Sequence, residues 1–363
     1  MRLTIAVGMS GGVDSAMAAL LLKRQGFEVV GITMRIWSGR LEAPRHARSA
    51  CYGPGEAQEI ETARRCAERL GIPHHTLDLA DAFEARVLEY FRRDHRAGRT
   101  PNPCMICNRE LKFGLLPEAA RRAGIAFDRF ATGHYARIAG PEAGGDYRLR
   151  RGVDPAKDQS YFLYWLTQAQ LPGLLFPLGD STKAETRRLA IEAGFPDLAA
   201  QHESQDFFEG DDYAQLFPGE NLKPGPIVDG AGRELGRHDG ALRFTRGQRS
   251  GLGVASSRRL YVKTRDMQTG AVVVGPREEI MSARCHVADV TWVNGQPAAP
   301  AISAGVCCRY RQTPIESRLT LSGAKSDTAE IAFAAPVFGV TCGQAAVFYD
   351  GDTVLGGGWI DEV

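Results

Sequence analysis

The sequence predicts an α/β chain: a doubly wound parallel sheet, then a small central domain, then a C-terminal unit built from strands alone. Three observations carry this. Over roughly the first 200 residues, short β-rich runs alternate with amphipathic helical stretches, the pattern of right-handed strand–helix–strand crossovers. The texture changes near Phe195-Pro196 to a Gly- and charge-rich stretch with short strands. From about Ser282 onward the pattern is strand after strand, separated by turn signals.

The elements follow in order. Leu3–Val7 reads as a short buried strand. Asp14 to Gln25 reads as a helix, with Val13, Met17, Leu20 and Leu21 on one stripe and Gly26 as its C-terminal stop. Phe27 to Ile36 is a strand rich in β-branched residues, and Glu56 to Leu70 a helix whose Ile60, Ala63, Ala67 and Leu70 share a face. A strand over His74–Leu79 precedes a helix over Ala80–Arg96; a helix over Glu110–Ala123 precedes a strand over Phe127–Gly133. Tyr135–Arg151 reads as a hairpin inserted near the end of the sheet, turning at Ala143-Gly144-Gly145-Asp146. In the middle region Tyr261–Thr264 and Ala271–Val274 are strands. Cys285–Trp292, Gly305–Tyr310, Thr328–Phe333 and Ala345–Tyr349 would build a small barrel or sandwich. The expected domains are 1–197, 198–278 and 279–363.

Composition sets limits. The 363 residues carry 44 Lys+Arg against 43 Asp+Glu, a net charge of +1, which argues against nucleic-acid binding by bulk charge while leaving room for a local basic face. No run approaches the ~20 apolar residues of a membrane span, and the apolar N-terminal run is too short for a signal peptide, so a cytoplasmic chain without membrane contact is expected. Eight cysteines are too sparse for a disulfide scaffold and read as buried thiols or chemistry.

The chemistry starts at Ser10-Gly11-Gly12-Val13-Asp14-Ser15, between the first strand and the first helix. Backbone N–H groups at a helix start form an anion site, and glycines let phosphate oxygens approach. The loop lacks the Gly-Lys-Ser/Thr ending that serves γ-phosphate transfer. It resembles the pyrophosphate loop of the ATP pyrophosphatase superfamily, whose members adenylate a carbonyl oxygen and release pyrophosphate. The flanks extend the resemblance: Gly31-Ile32-Thr33-Met34-Arg35-Ile36-Trp37, Asn102-Pro103-Cys104-Met105-Ile106-Cys107-Asn108-Arg109-Glu110-Leu111-Lys112-Phe113, Ala131-Thr132-Gly133-His134-Tyr135, Lys157-Asp158-Gln159-Ser160, Thr245-Arg246-Gly247-Gln248-Arg249, Arg309-Tyr310-Arg311-Gln312 and Gly343-Gln344-Ala345. In that order they are similar to the tRNA-specific 2-thiouridylase family across nearly the whole chain.

The resemblance implies an adenine nucleotide alpha hydrolase-like catalytic domain, a small central domain and a C-terminal β-barrel. It implies ATP-dependent adenylation of the C2 oxygen of a tRNA wobble uridine and replacement of that oxygen by sulfur. ATP and Mg²⁺ would be needed, with tRNA and an upstream sulfur donor or relay protein as partners; a monomer is expected. By resemblance Gly8, Met9, Ser10, Gly11, Gly12, Val13, Asp14 and Ser15 would bind ATP, with Met34 and Gly133 lining the adenosine site. Asn102, Pro103 and Cys104 would sit beside the target base, and Cys107 would be the nucleophile, its thiol pKa lowered. His134, Lys157, Asp158, Gln159, Arg309, Tyr310 and Gln344 would contact tRNA.

The sequence departs from the family at two positions. Cys104 stands where an Asp is usual, and Phe208, in Glu203-Ser204-Gln205-Asp206-Phe207-Phe208, stands where a second catalytic Cys is usual. Three readings follow. Cys51, Cys104 and Cys107 would hold a [4Fe–4S] cluster with one iron open; or Cys107 would carry a persulfide that Cys104 resolves as a disulfide; or the thiols would bind zinc, or Cys104 would be inert. Cys66, Cys285, Cys307, Cys308 and Cys342 read as core thiols, with a paired or metal-binding role left open for Cys307-Cys308. The competing functions are a small-molecule synthetase of the same superfamily, which has no need of Cys107, and a catalytically silent tRNA-binding protein.

Overall fold

The computed structural model describes residues 2–41, 50–141, 145–201, 206–210, 212–218, 224–297, 299–323 and 326–363. Glu203, Ser204 and Gln205, and Ala143 and Gly144 of the expected turn, lie outside the described residues.

The N-terminal sheet has five parallel strands in the order His74–Asp78, Glu28–Arg35, Thr4–Gly8, Arg129–Thr132, Leu174–Leu175. Successive side chains of a strand face opposite sides of its sheet. Ile5 and Val7 therefore join one core with Met17 and Leu22 of the Val13–Arg24 helix and Ala63 and Ala67 of the Glu56–Leu70 helix. Ala6 joins the other core, with Leu88, Phe91, Leu111 and Phe130. Strand order reverses around the central Thr4–Gly8 strand, and in such sheets the crevice at that reversal, beyond the carboxyl ends of the strands, is where ligands bind. The Ser10–Ser15 loop leaves that strand at that point.

The structure corrects several local expectations. The helix expected over Glu110–Ala123 begins at Pro103 and runs through a π-helical stretch, Cys107–Leu115, before its last α-helical segment, Leu116–Arg122. The start is built by Asn102, whose Oδ1 accepts from Met105 N–H at 3.3 Å, with Pro103 as first helical residue. Cys104 and Cys107 thus stand on a helix, not on loops. Cys51 stands on the short Ala50–Tyr52 strand, which pairs in parallel with Asp206–Phe208. The Ala80–Arg96 helix also contains a π-helical segment, Glu84–Leu88.

The 136–151 hairpin forms, but it does not extend the parallel sheet. Its second strand, Arg148–Arg151, joins the C-terminal sheet through Thr353↔Arg150. That sheet closes: Met281–Trp292 pairs with both Thr328–Phe338 and Thr353–Glu362, giving a barrel of six strands around Val287, Val306, Leu319, Ile331 and Phe348. Between the two units, Gly225–Val228, Glu234–His238, Tyr261–Arg265 and Val272–Gly275 form a four-stranded sheet around Ile227, Val262, Val272 and Val274. Among the described residues no helix is long and apolar enough to cross a membrane.

Candidate functional site

Gly12 caps the first helix without a side-chain hydrogen bond, leaving backbone donors at the helix start open to a ligand. Gly11 has φ +81°, and a Cβ there would meet Glu59 O at 2.4 Å, so the turn tolerates only glycine. The serines brace it: Ser15 Oγ donates to Gly12 O at 3.1 Å and accepts from Ser10 N–H at 3.2 Å. Gly133 closes the other wall, where a Cβ would lie 2.7 Å from the Asp14 carbonyl carbon and 2.8 Å from Ser15 N. Met9 is anchored by its amide to Ile32 O at 2.8 Å and by its carbonyl to Thr33 Oγ1 at 2.8 Å. That anchorage places half-buried Met34, one residue further along the neighbouring strand, at the same end of the sheet as Gly8 and Gly133.

Asp14 accepts from Lys183 Nζ at 2.7 Å on each carboxylate oxygen and from the Tyr135 hydroxyl at 2.8 Å. Lys183 is 7% exposed. The sequence reading missed it, although a signal was present. Thr182 and Glu185 form a capping box, so Lys183 opens its helix, and a cation at the positive end of a helix dipole needs a nearby anion.

Gly133 leads directly to His134, which links this loop to the cysteine helix. His134 is buried; its Nδ1 lies 2.7 Å from Thr132 Oγ1 and its ring centroid 5.6 Å from that of Phe113. Burial, reinforced by Lys112, pushes its pKa down to about 3, so the ring is neutral at neutral pH. Lys112, which the sequence reading quoted without a role, also faces the thiols. Burial pushes Cys104 up to about 12 and Cys107 up to about 11, with Lys112 opposing both shifts. Cys51 is exposed, yet the protein around it also raises its thiol, against the pull of Lys112. The lowered thiol pKa expected for Cys107 is thus reversed by desolvation, because one ammonium does not outweigh loss of water around sulfur.

Among the described residues no three Cys, His, Asp or Glu side chains converge to hold a metal ion. Cys51, Cys104 and Cys107 act on one another and on Lys112 electrostatically, which places the three thiols in one neighbourhood. Phe208, at the position of the usual second cysteine, is 2% exposed and packs toward Tyr52, with ring centroids 6.5 Å apart.

The remaining candidates divide into two groups. Asp158, Arg309 and Tyr310 line a cavity of about 170 Å³ together with Arg151, Arg311 and Cys307, where the barrel meets the catalytic domain. Inside it Asp158 accepts from Arg151 Nε at 2.7 Å and from Gly152 and Ser160 amides, while Gln159 Oε1 accepts from Tyr135 N–H at 3.0 Å. Lys157 is half-buried on the same turn. Gln344 stands apart from this cavity, bonded to Asn102 and Thr100 beside the cysteine helix. A larger cavity, about 450 Å³, is lined by Lys23, Arg24, Arg69 and Phe195 near the far end of the first helix, away from the Ser10–Ser15 loop.

The same three-part division appears in comparisons with known proteins. Residues 3–208 match a family model described as a tRNA methyl transferase HUP domain, 219–276 a tRNA methyl transferase PRC-barrel domain, and 282–360 an aminomethyltransferase beta-barrel domain. A tRNA-specific 2-thiouridylase MnmA from Geotalea uraniireducens is 45% identical, covering 99% of this chain and 96% of the relative. Proteins of that name from Geobacter metallireducens and Endomicrobium trichonymphae are 44% and 42% identical, each over 99% of this chain and over 97% and 99% of the relatives. Similarity at that level, running unbroken through all three units, decides the matter: this chain belongs to the tRNA-specific 2-thiouridylase family.

Proposed function

We propose that the protein is an ATP-dependent tRNA uridine 2-sulfurtransferase, with domains at 1–197, 198–278 and 279–363. The observation that carries this reading is the Gly133-His134 link, which backs onto the open helix start at Asp14 and Ser15 and packs, through Phe113, on the helix that bears Cys104 and Cys107. One crevice therefore serves a nucleotide and a thiol. The helix N-terminus and the Gly11/Gly133 cradle would hold the phosphates of ATP, with Mg²⁺ accompanying them and Asp14 as the carboxylate at that loop.

The C2 oxygen of the uridine attacks the α-phosphorus and pyrophosphate leaves. The adenylated oxygen is then a good leaving group. The terminal sulfur of a Cys107 persulfide attacks C2 and AMP departs. Cys104 thiolate attacks the Cys107 sulfur, the sulfur–sulfur bond breaks, and the 2-thiouridine leaves with its electron pair. A Cys104–Cys107 disulfide remains for an external thiol to reduce. The spacing of three on one helical turn supports this pairing. A sulfur donor or relay protein would reload Cys107. The basic cavity at Arg151, Arg309 and Arg311 and the exposed edge near Lys157 offer tRNA its phosphate contacts.

The test is nucleoside analysis after incubation with tRNA, ATP, Mg²⁺, a persulfide sulfur donor and a reducing thiol, with AMP counted alongside. One AMP per 2-thiouridine, none without ATP, and loss of product in Cys107→Ser are expected. AMP formation independent of tRNA and intact in Cys107→Ser would make the protein a small-molecule synthetase. Stoichiometric iron and sulfide in anaerobically purified, active protein would replace the persulfide with a cluster on Cys51, Cys104 and Cys107.

A further inference from the structure

The segment Ala97–Asn102 joins the Glu89–Arg96 helix to the helix bearing Cys104 and Cys107, and it is held from three sides. From the central sheet, Arg265 reaches in, buried to 7% exposure. Its Nη1 donates to Phe244 O at 2.6 Å and lies 2.9 Å from His95 Nδ1, and its Nη2 donates to the carbonyl of Arg99. From the barrel, Cys342 O accepts from Thr100 N–H at 2.9 Å and Gln344 Nε2 donates to Thr100 O at 3.0 Å. At Gly343, φ is +90° and a Cβ would meet Arg99 Cβ and Thr100 O, each at 3.0 Å, so barrel turn and segment are in direct contact. From the catalytic domain, Tyr90 OH accepts from Asn102 N–H at 3.1 Å.

Asn102 is the point where these constraints meet the chemistry. Its amide has two ends: Nδ2 donates to Gln344 Oε1 at 3.3 Å, which turns Oδ1 toward Met105 N–H, where it shares that donor with the Asn102 carbonyl at 3.1 Å. An amide free to flip would present NH₂ to an N–H and lose the cap. A buried guanidinium bonded to carbonyls and a neutral histidine is costly to desolvate, so Arg265 holds its place only while those carbonyls stay aligned.

We propose that Gln344 and Arg265 are positioning residues for the sulfur chemistry: the barrel and the central sheet together clamp Arg99–Asn102 and so fix where the helix carrying Cys104 and Cys107 begins. This rests on reading those cysteines as the sulfur carriers. It also gives Gln344 a task in the tRNA-free protein, separate from any contact with RNA.

The experiment is hydrogen exchange on the full-length protein without tRNA or ATP, in wild type, Gln344→Ala, Gln344→Glu and Arg265→Lys, followed by steady-state thiolation. In Gln344→Ala the amides of Thr100 and Met105 should exchange about fivefold faster or more, with the change confined to 97–107. Gln344→Glu keeps an acceptor for Asn102 and should preserve the Met105 amide while releasing Thr100. Thiolation kcat should fall in step with the exchange, with the KM for ATP unchanged. Unaltered exchange at 97–107 in Gln344→Ala overturns the proposal, as does acceleration spread evenly over barrel and catalytic sheet. Should Arg265→Lys fail to fold, Gln344→Ala decides alone. Wild-type protein that never thiolates overturns the sulfurtransferase reading, whereas the clamp stands or falls on the tRNA-free exchange.

Discussion

Lys183 Nζ lies 2.7 Å from each carboxylate oxygen of Asp14, bringing the first residue of a late helix onto the loop that opens the first. The pair neutralises the Asp14 carboxylate at the loop proposed to hold the phosphates of ATP. Lys183→Met should leave Asp14 repelling a triphosphate and raise the KM for ATP about tenfold or more. Removing one partner of this largely buried pair should also cost about 1–2 kcal/mol, because Tyr135 still bonds Asp14. Pyrophosphate release at varied ATP and a thermal melt check the two parts; an unchanged KM would place Lys183 outside nucleotide binding.

Gly133→Ala should separate close packing from conformational freedom. The added methyl would press on the backbone of Asp14 and Ser15, costing about 1–3 kcal/mol or displacing the loop. Gly140→Ala is the control, since nothing lies within 4 Å of a Cβ there. ATP-induced thermal stabilisation should vanish in the first variant and persist in the second.

How far these residues were legible in the sequence depends on where their partners lie. The Ser10–Ser15 loop was readable because its function is local: strand, glycines and helix start are contiguous. The two faces of the catalytic sheet and the strand-only C-terminal unit followed from periodicity. Lys183 was missed because what gives it meaning is an aspartate 169 positions away, and Lys112 because its place beside Cys107 rests on a π-helical turn and its place beside Cys51 on a separate strand. The helix start at Pro103 was legible in Asn102-Pro103, but a cysteine motif invites reading as a loop, and the wide π-helical turn that follows has no propensity signature. The hairpin was found and misassigned, because strand pairing across more than 200 residues leaves no trace in local pattern.

The cysteines give a pH prediction. Both Cys104 and Cys107 are raised from an ordinary 9.0, Cys107 to about 11, so in the free enzyme they are protonated at neutral pH. Alkylation of Cys107 by iodoacetamide should be slow at pH 7 and climb through pH 9 to 11. The same shift makes the folded state hold protons that the unfolded chain releases. Its contribution to stability is complete below about pH 9 and is lost as pH rises toward 11. Rapid alkylation at pH 7 in the absence of tRNA would show that the thiols are not desolvated.

His134 acts with the opposite sign. Its pKa falls from 6.5 to about 3, so the unfolded chain takes up a proton that the folded one refuses. Stability should be full above about pH 6.5 and decline as pH falls toward 3. His134→Gln should flatten the fall in denaturation midpoint between pH 6.5 and 4 without abolishing it, because burial depresses His95, His74 and His238 in the same direction.

The pairing of Thr353 with Arg150 has a practical meaning for anyone dividing this chain. A protein cut after the central sheet would keep the whole nucleotide crevice yet leave Arg148–Arg151 as a bare ribbon edge, its unpaired backbone groups an invitation to self-association. The catalytic half is therefore expected to precipitate when expressed alone, and a soluble fragment would need the hairpin removed along with the barrel it was built to meet.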